Sequence, residues 1–211
     1  GGSSGVALMV DTTPTAGEQA WDDVDGATVH SYAVASGNRD WFAYTNTSLV
    51  DNMTLKLDYV PSDGTTDIES STSATVSYTG IEGLTLGAGM GEDNGEGSAA
   101  SIDVTVLNAT YAMDAFTIGW SSSEEDSNAA NSDVTLVALG ASYAVNDDVS
   151  VSINTATHEI EGSADQDSFG ISASMVMGSM TLSANHNSVE NIAGISGTDR
   201  TGYALGLSFA F

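Results

Sequence analysis

Residues 202–211 place Tyr203, Leu205, Leu207, Phe209 and Phe211 on one face of an extended chain and Gly202, Ala204, Gly206, Ser208 and Ala210 on the other. A strand's side chains alternate with a period of two, so this segment has one bulky apolar face and one face of small residues. A soluble sheet would carry Lys, Glu and Arg on its polar face; this one carries Gly, Ser and Ala. Similar alternation recurs in eleven spans: 41–47, 53–60, 72–79, 84–91, 101–113, 115–122, 135–145, 149–158, 168–177, 180–187 and 202–211. Most approach the roughly 9 to 11 residues that a tilted strand needs to cross a bilayer. The pattern predicts an all-β fold, a transmembrane antiparallel up-and-down β-barrel with its apolar faces against lipid.

Leu84, Leu86, Ala88 and Met90 oppose Thr85, Gly87 and Gly89, and Val137, Leu139, Ala141, Tyr143 and Val145 oppose Ala138, Gly140, Ser142 and Ala144. Phe169, Ile171, Ala173, Met175 and Met177 oppose Gly170, Ser172 and Ser174 in the same way. One span changes phase: Ile102, Val104 and Val106 start on one face and Leu107, Ala109, Tyr111 and Met113 continue on the other, which predicts a β-bulge near Val106. Phe42, Tyr44, Tyr78, Trp120, Tyr143, Tyr203 and Phe211 lie toward span ends, where an interfacial girdle of aromatics is expected.

Connections between the spans alternate between short and long. The short ones are 48–52, 80–83, 114, 146–148 and 178–179; the long ones are 61–71, 92–100, 123–134, 159–167 and 188–201. Bacterial outer membrane barrels have tight periplasmic turns and longer outer loops. Residues 1–38, rich in Gly, Ser, Thr and Asp, read as a loop region, and 39–211 as the barrel strands.

Charge narrows the function classes. Three Lys and Arg stand against 29 Asp and Glu, a formal net charge of -26. Nucleic acid is disfavoured, because phosphate binding needs clustered Lys and Arg. Many carboxylates gather in the long connections, among them Glu92, Asp93, Glu96, Glu124, Glu125 and Asp126. They read either as ordinary solvated loop charges or as an acidic vestibule that concentrates cations, with Ca or Mg ions as candidate partners. No Asp-x-Asp-x-Asp-Gly ligand spacing accompanies them.

Catalytic and cofactor motifs are weak. Gly87, Gly89 and Gly91 lack the spacing and following helix of a phosphate loop, and His30, His158 and His186 are too dispersed for a metal site. No cofactor and no enzymatic activity are expected. Candidate wall charges are Lys56 and Asp58, on the face opposite Leu55, Leu57 and Tyr59, and Asp103, opposite Ile102 and Val104. Opposite charges across a pore would set a transverse field acting on ions and dipolar solutes.

Residues 39–48, Arg-Asp-Trp-Phe-Ala-Tyr-Thr-Asn-Thr-Ser, followed by a short turn and the 53–59 span, resemble the sixth and seventh strands of general bacterial porins. In that family an Arg precedes an aromatic-rich strand just after an inward-folded third loop. The resemblance covers about 39–211 and implies strands six to sixteen of a sixteen-stranded barrel, so that about eleven of sixteen strands are present. It implies further that 1–38 is the tail of the constriction loop region and that Arg39 lies on the pore wall. The terminal strand, with Tyr203, Phe209 and Phe211, resembles the family's assembly signal for insertion into the outer membrane. By this resemblance the chain is a homotrimeric channel in membrane lipid of the bacterial outer membrane, passing small hydrophilic solutes and ions. The alternative is a secreted or surface acidic β protein that binds divalent cations or acts as an adhesin.

Overall fold

The computed structural model describes residues 4–11, 39–62, 69–94 and 100–210. They form one twelve-stranded antiparallel sheet in which each strand pairs only with its neighbours along the chain. The strands are β1 (Ser4–Asp11), β2 (Arg39–Asn46), β3 (Met53–Val60), β4 (Ser71–Ile81), β5 (Leu84–Asp93), β6 (Ile102–Met113), β7 (Phe116–Ser127), β8 (Val134–Ala144), β9 (Val149–Ile160), β10 (Gln166–Met177), β11 (Met180–Glu190) and β12 (Arg200–Phe209). β1 and β12 are not paired with each other, so among the described residues the sheet is open.

The first strand corrects the reading of 1–38 as loop. β1 pairs with the whole of β2, from Ser4 opposite Asn46 to Asp11 opposite Arg39. Its 6–10 segment is continuously apolar and shows no alternation, so only its hydrogen-bonding partner reveals it as a strand. Among the described residues the strands therefore number twelve, β1 joining the eleven that the alternation marks. The assignment of the constriction loop falls on 12–38, outside the described residues.

Directly opposed residues in an antiparallel ladder share a face, so rows can be followed across the sheet. Leu84, Tyr111, Ile118, Ala141, Ile153 and Ile171 form one row on the apolar face. The adjacent row on the other face runs Thr85, Thr110, Gly119, Gly140, Asn154 and Gly170. Leu205 and Leu207 remain 77% and 55% exposed, as residues facing lipid do and residues of a closed hydrophobic core do not. Aromatic pairs sit at opposite strand ends. Phe42 and Tyr59 stack toward the long connections with centroids 6.4 Å apart, and Phe116 meets Tyr143 at 4.4 Å beside the short turns.

Two further expectations change. No bulge interrupts β6 near Val106: its pairing is continuous with β5 from Asp93–Ile102 to Leu84–Tyr111 and with β7 from Ile102–Ser127 to Met113–Phe116. Val104 and Val106 instead share the polar face with Asn108, and the phase never switches. A register shift occurs between Tyr78 and Ile81 in β4, next to the 82–83 turn. There Gly83 adopts a φ of 75°, and an added Cβ would collide with the Ala112 carbonyl oxygen.

The strands also run further than the alternation suggests. β5 reaches Asp93, β7 reaches Ser127 and β9 reaches Ile160, so the 128–133 and 161–165 connections are no longer than the 47–52 turn at the opposite end. Beyond the membrane both faces of a hairpin meet water, and the apolar rhythm that marks a lipid-facing strand ends before the backbone pairing does. The 161–165 and 191–199 connections are tied together: Asn191 Nδ2 donates to the Asp165 carbonyl at 2.9 Å, and the Ala193 N–H donates to Gln166 Oε1 at 2.8 Å.

Candidate functional site

The polar face of β3 to β8 holds most of its ionisable residues. Lys56 and Asp58 lie there, in rows with Thr75 and Ser73 respectively. Ser73 Oγ donates to Asp58 Oδ2 at 3.3 Å, and Asp58 is buried. One position toward the long connections, Ser71 Oγ donates to Asp93 Oδ1 at 3.0 Å. The row through Asp58 continues along Ser73, Gly91 and Val104 to Glu125.

Glu125 was expected in an acidic loop. It stands instead within β7, is 8% exposed, and its Oε2 is buried without a hydrogen-bond partner among the described residues. A buried polar atom without a partner is energetically costly, so this oxygen calls for a functional account. Val104, Val106 and Leu136 surround its place in the register, and Val106 is only 1% exposed. This stretch of the polar face is therefore covered and partly apolar, unlike the open wall of small polar residues that the alternation suggests.

Asp103 does not join this group. It pairs with Glu92 on one side and Asp126 on the other, on the same face as Met90, Leu107 and Tyr111. The expectation placed Ile102 and Val104 on the apolar face by residue type; the unbroken register reverses that choice. Glu124 shares the Asp103 face, opposite Thr105 and Thr135. The supposed vestibule thus divides: Glu92, Glu124 and Asp126 point to the apolar side above its hydrophobic band, and Asp93 and Glu125 to the polar side. Glu96 lies outside the described residues. Among the described residues no three or more His, Asp or Glu side chains cluster to hold a metal ion.

Arg39 is placed only as the first residue of β2, in register with Asp11; its side chain falls outside the described ones. Arg200, which the sequence reading passed over, follows Val189 and Ser168 onto the polar face and is exposed. Tyr203 and Phe209 lie on the apolar face of edge strand β12, Tyr203 being 81% exposed and stacked on His186 at 4.5 Å. Phe211 is outside the described residues.

Along β9 to β12 the polar face changes character. Ser152 and Ser172 hydroxyls meet at 2.7 Å, and Asn154, Asn185 and Asn187 line the neighbouring positions. The arrangement as a whole is a single sheet with a lipid-type apolar face and a polar face that is acidic along β3 to β8 and, along β9 to β12, amide- and hydroxyl-lined with Arg200 toward the long connections.

Residues 3–165 match the Gram-negative porin family. The chain belongs to that family. No curated protein matches it significantly in sequence. Among solved structures it is similar to the anion-selective porin from Comamonas acidovorans, with 16% identity and a TM-score of 0.74 over 98% of this chain and 74% of that one. It is also similar to in-vitro folded OmpT, an outer membrane protein of Vibrio cholerae, with 12% identity and a TM-score of 0.66 over 97% of this chain and 75% of that one. At these identities the structural likeness establishes the porin β-barrel fold, and the family match establishes the outer membrane as its location. The apolar face of this porin is accordingly the lipid face and the polar face the lumen wall. The twelve strands, joined edge to edge and open at both ends, are a partial wall of such a barrel.

Proposed function

We propose that this porin is a passive diffusion channel for small hydrophilic solutes and ions, assembled as a homotrimer and weakly selective for cations. The observation that carries the reading is the sidedness of the sheet: rows dominated by apolar side chains outward, and inward a wall rich in Ser, Thr, Asn and Gly with a few charges among them. Such a wall lowers the barrier for hydrated solutes without offering reactive groups. Lumen-facing Asp58, Asp93 and Glu125 outnumber Lys56 and Arg200 among the described residues, and the surrounding net charge of -26 adds a cation-attracting field. The Comamonas porin is anion-selective; the acidic wall here favours the opposite sign. In this reading 12–38 is the constriction loop, and the burial of Val104, Val106 and Leu136 on the lumen wall supports an inward segment lying against them. Tyr203, Phe209 and Phe211 then serve the barrel's insertion.

Planar bilayers test the reading. The detergent-extracted porin should give stepwise KCl conductance, with a reversal potential of cation-selective sign across a salt gradient. Absence of conductance would overturn the channel, and an anion-selective sign would overturn the selectivity. A band that migrates as a trimer in sodium dodecyl sulfate until heated checks the assembly.

A further inference from the structure

The neutral arc of the wall holds an arrangement that a featureless diffusion path does not require. Gly170 of β10 is in register with Asn154 of β9 on one side and Asn187 of β11 on the other. A Cβ added to Gly170 would stand 2.6 Å from Asn154 Oδ1, 3.1 Å from Asn154 Nδ2 and 2.8 Å from Asn187 Oδ1. The two amides therefore lean from flanking strands over one point on the lumen face, and Gly170 is buried beneath them. Only glycine leaves room for this convergence. Asn187 Nδ2 also donates to Asn185 Oδ1 at 3.4 Å, which extends the amide patch one row further. The paired Ser152 and Ser172 hydroxyls adjoin it.

Every group in the patch is neutral, and each amide supplies both donors and acceptors. His158 of β9 and Arg200 of β12, the ionisable lumen-facing groups of this arc among the described residues, lie toward the long connections, in other rows. A charged solute would gain nothing here to replace its hydration. A solute with several hydroxyls, each both donor and acceptor, could exchange its water for matched partners within one contact area, since a site built to hydrogen-bond hydroxyls discriminates against analogues that lack them. We propose that Asn154, Asn185 and Asn187, gathered over Gly170, form a weak binding step for neutral polyhydroxylated solutes of the carbohydrate type. The inference rests on the chain being a diffusion channel.

The test uses the reconstituted porin in planar bilayers with two neutral probes of equal hydrodynamic size: raffinose, and a polyethylene glycol whose ether oxygens accept but whose interior has no hydroxyl to donate. Raffinose should depress the KCl current of the unaltered porin at concentrations several-fold below those needed with the polymer. The Asn154→Ala/Asn187→Ala double variant should lose that excess and respond to both probes alike, each block being taken relative to that variant's own KCl current without solute. Gly170→Ala, which forces the amides apart, should do the same; the double variant keeps the glycine and stands in if Gly170→Ala does not assemble. Equal block by both probes in the unaltered porin, or an undiminished raffinose preference in the double variant, would overturn the proposal. Loss of all KCl conductance in the unaltered porin would strike instead at the channel reading on which it rests.

Discussion

Along β3 to β8 the lumen wall carries Lys56, Asp58, Asp93 and Glu125 among buried Val104, Val106 and Leu136, whereas along β9 to β12 it carries mostly serines, asparagines and glycines, half-buried on β9 and β10 and exposed on β11. The lipid faces of the two arcs do not differ in this way: Leu139 and Ile171 are 51% and 46% exposed, Leu139 beside Trp120 and Ile171 beside Ile153. Lipid imposes one chemistry everywhere, because hydrocarbon offers no partner to a polar group. The lumen imposes a different demand at each place. One arc packs apolar side chains and carries acidic groups; the other presents amides and hydroxyls, with a charge only at Arg200 toward the long connections.

The strongest test of the shared half of this comparison puts a charge on the lipid face of each arc. Leu139→Arg and Ile171→Arg should each destabilise the folded barrel by about 2–4 kcal/mol if the positions lie near the bilayer midplane. Urea titration of the barrel in lipid vesicles would measure both. Unequal costs would mean that one arc does not face hydrocarbon. The next effect belongs to the charged arc alone. Val106→Ser removes a side chain that is 1% exposed and should cost about 1–3 kcal/mol through lost apolar burial, while Ser172→Ala on the neutral arc should change stability little. A silent Val106→Ser would show that nothing packs tightly on that wall.

These same contrasts explain what could be read from the chain alone. The 137–145, 168–175 and 202–211 stretches were legible because both faces obey a single rule, bulky apolar outward and small inward. β6 was misread because its lumen face is itself apolar at Val104 and Val106, so residue type no longer tells the faces apart, and a false phase change carried Asp103 to the wrong side. β1 was missed because a continuous apolar run has no rhythm. Glu125 did have a readable signal: Gly119, Ser121 and Ser123 continue to it at a spacing of two, opposite Ile118 and Trp120. The acidic run that follows concealed the strand. The amides over Gly170 come from the two strands that flank it, and their meeting depends on register that no local pattern contains.

Smaller effects are expected at the rim, where Glu92, Asp103 and Asp126 are direct cross-strand neighbours. Like charges placed opposite one another in a sheet are destabilising. Asp103→Asn should therefore stabilise the barrel by about 0.2–1 kcal/mol at low ionic strength, and the gain should shrink as salt screens these exposed groups. An equivalent neutralisation is not available on the β9 to β12 lumen rows that hold Asn154 and Ser172, since they have no charge to remove. Stability measured at two salt concentrations separates this electrostatic relief from a packing change, which would not respond to salt.

The finest discrimination lies between Glu125 and Asp126, adjacent in β7 and turned to opposite faces. Both carboxylates contribute to the overall acidic field, but only Glu125 borders the lumen, where a low-dielectric wall focuses its potential on passing ions. Glu125→Gln should lower the cation-to-anion permeability ratio by about twofold, whereas Asp126→Asn, removing the same charge one residue away, should change it less. Introducing a carboxylate on the neutral arc by Asn154→Asp should raise the ratio. Reversal potentials under one salt gradient compare all three variants directly. Equal effects of Glu125→Gln and Asp126→Asn would mean that selectivity follows total charge rather than the side of the sheet on which each charge stands.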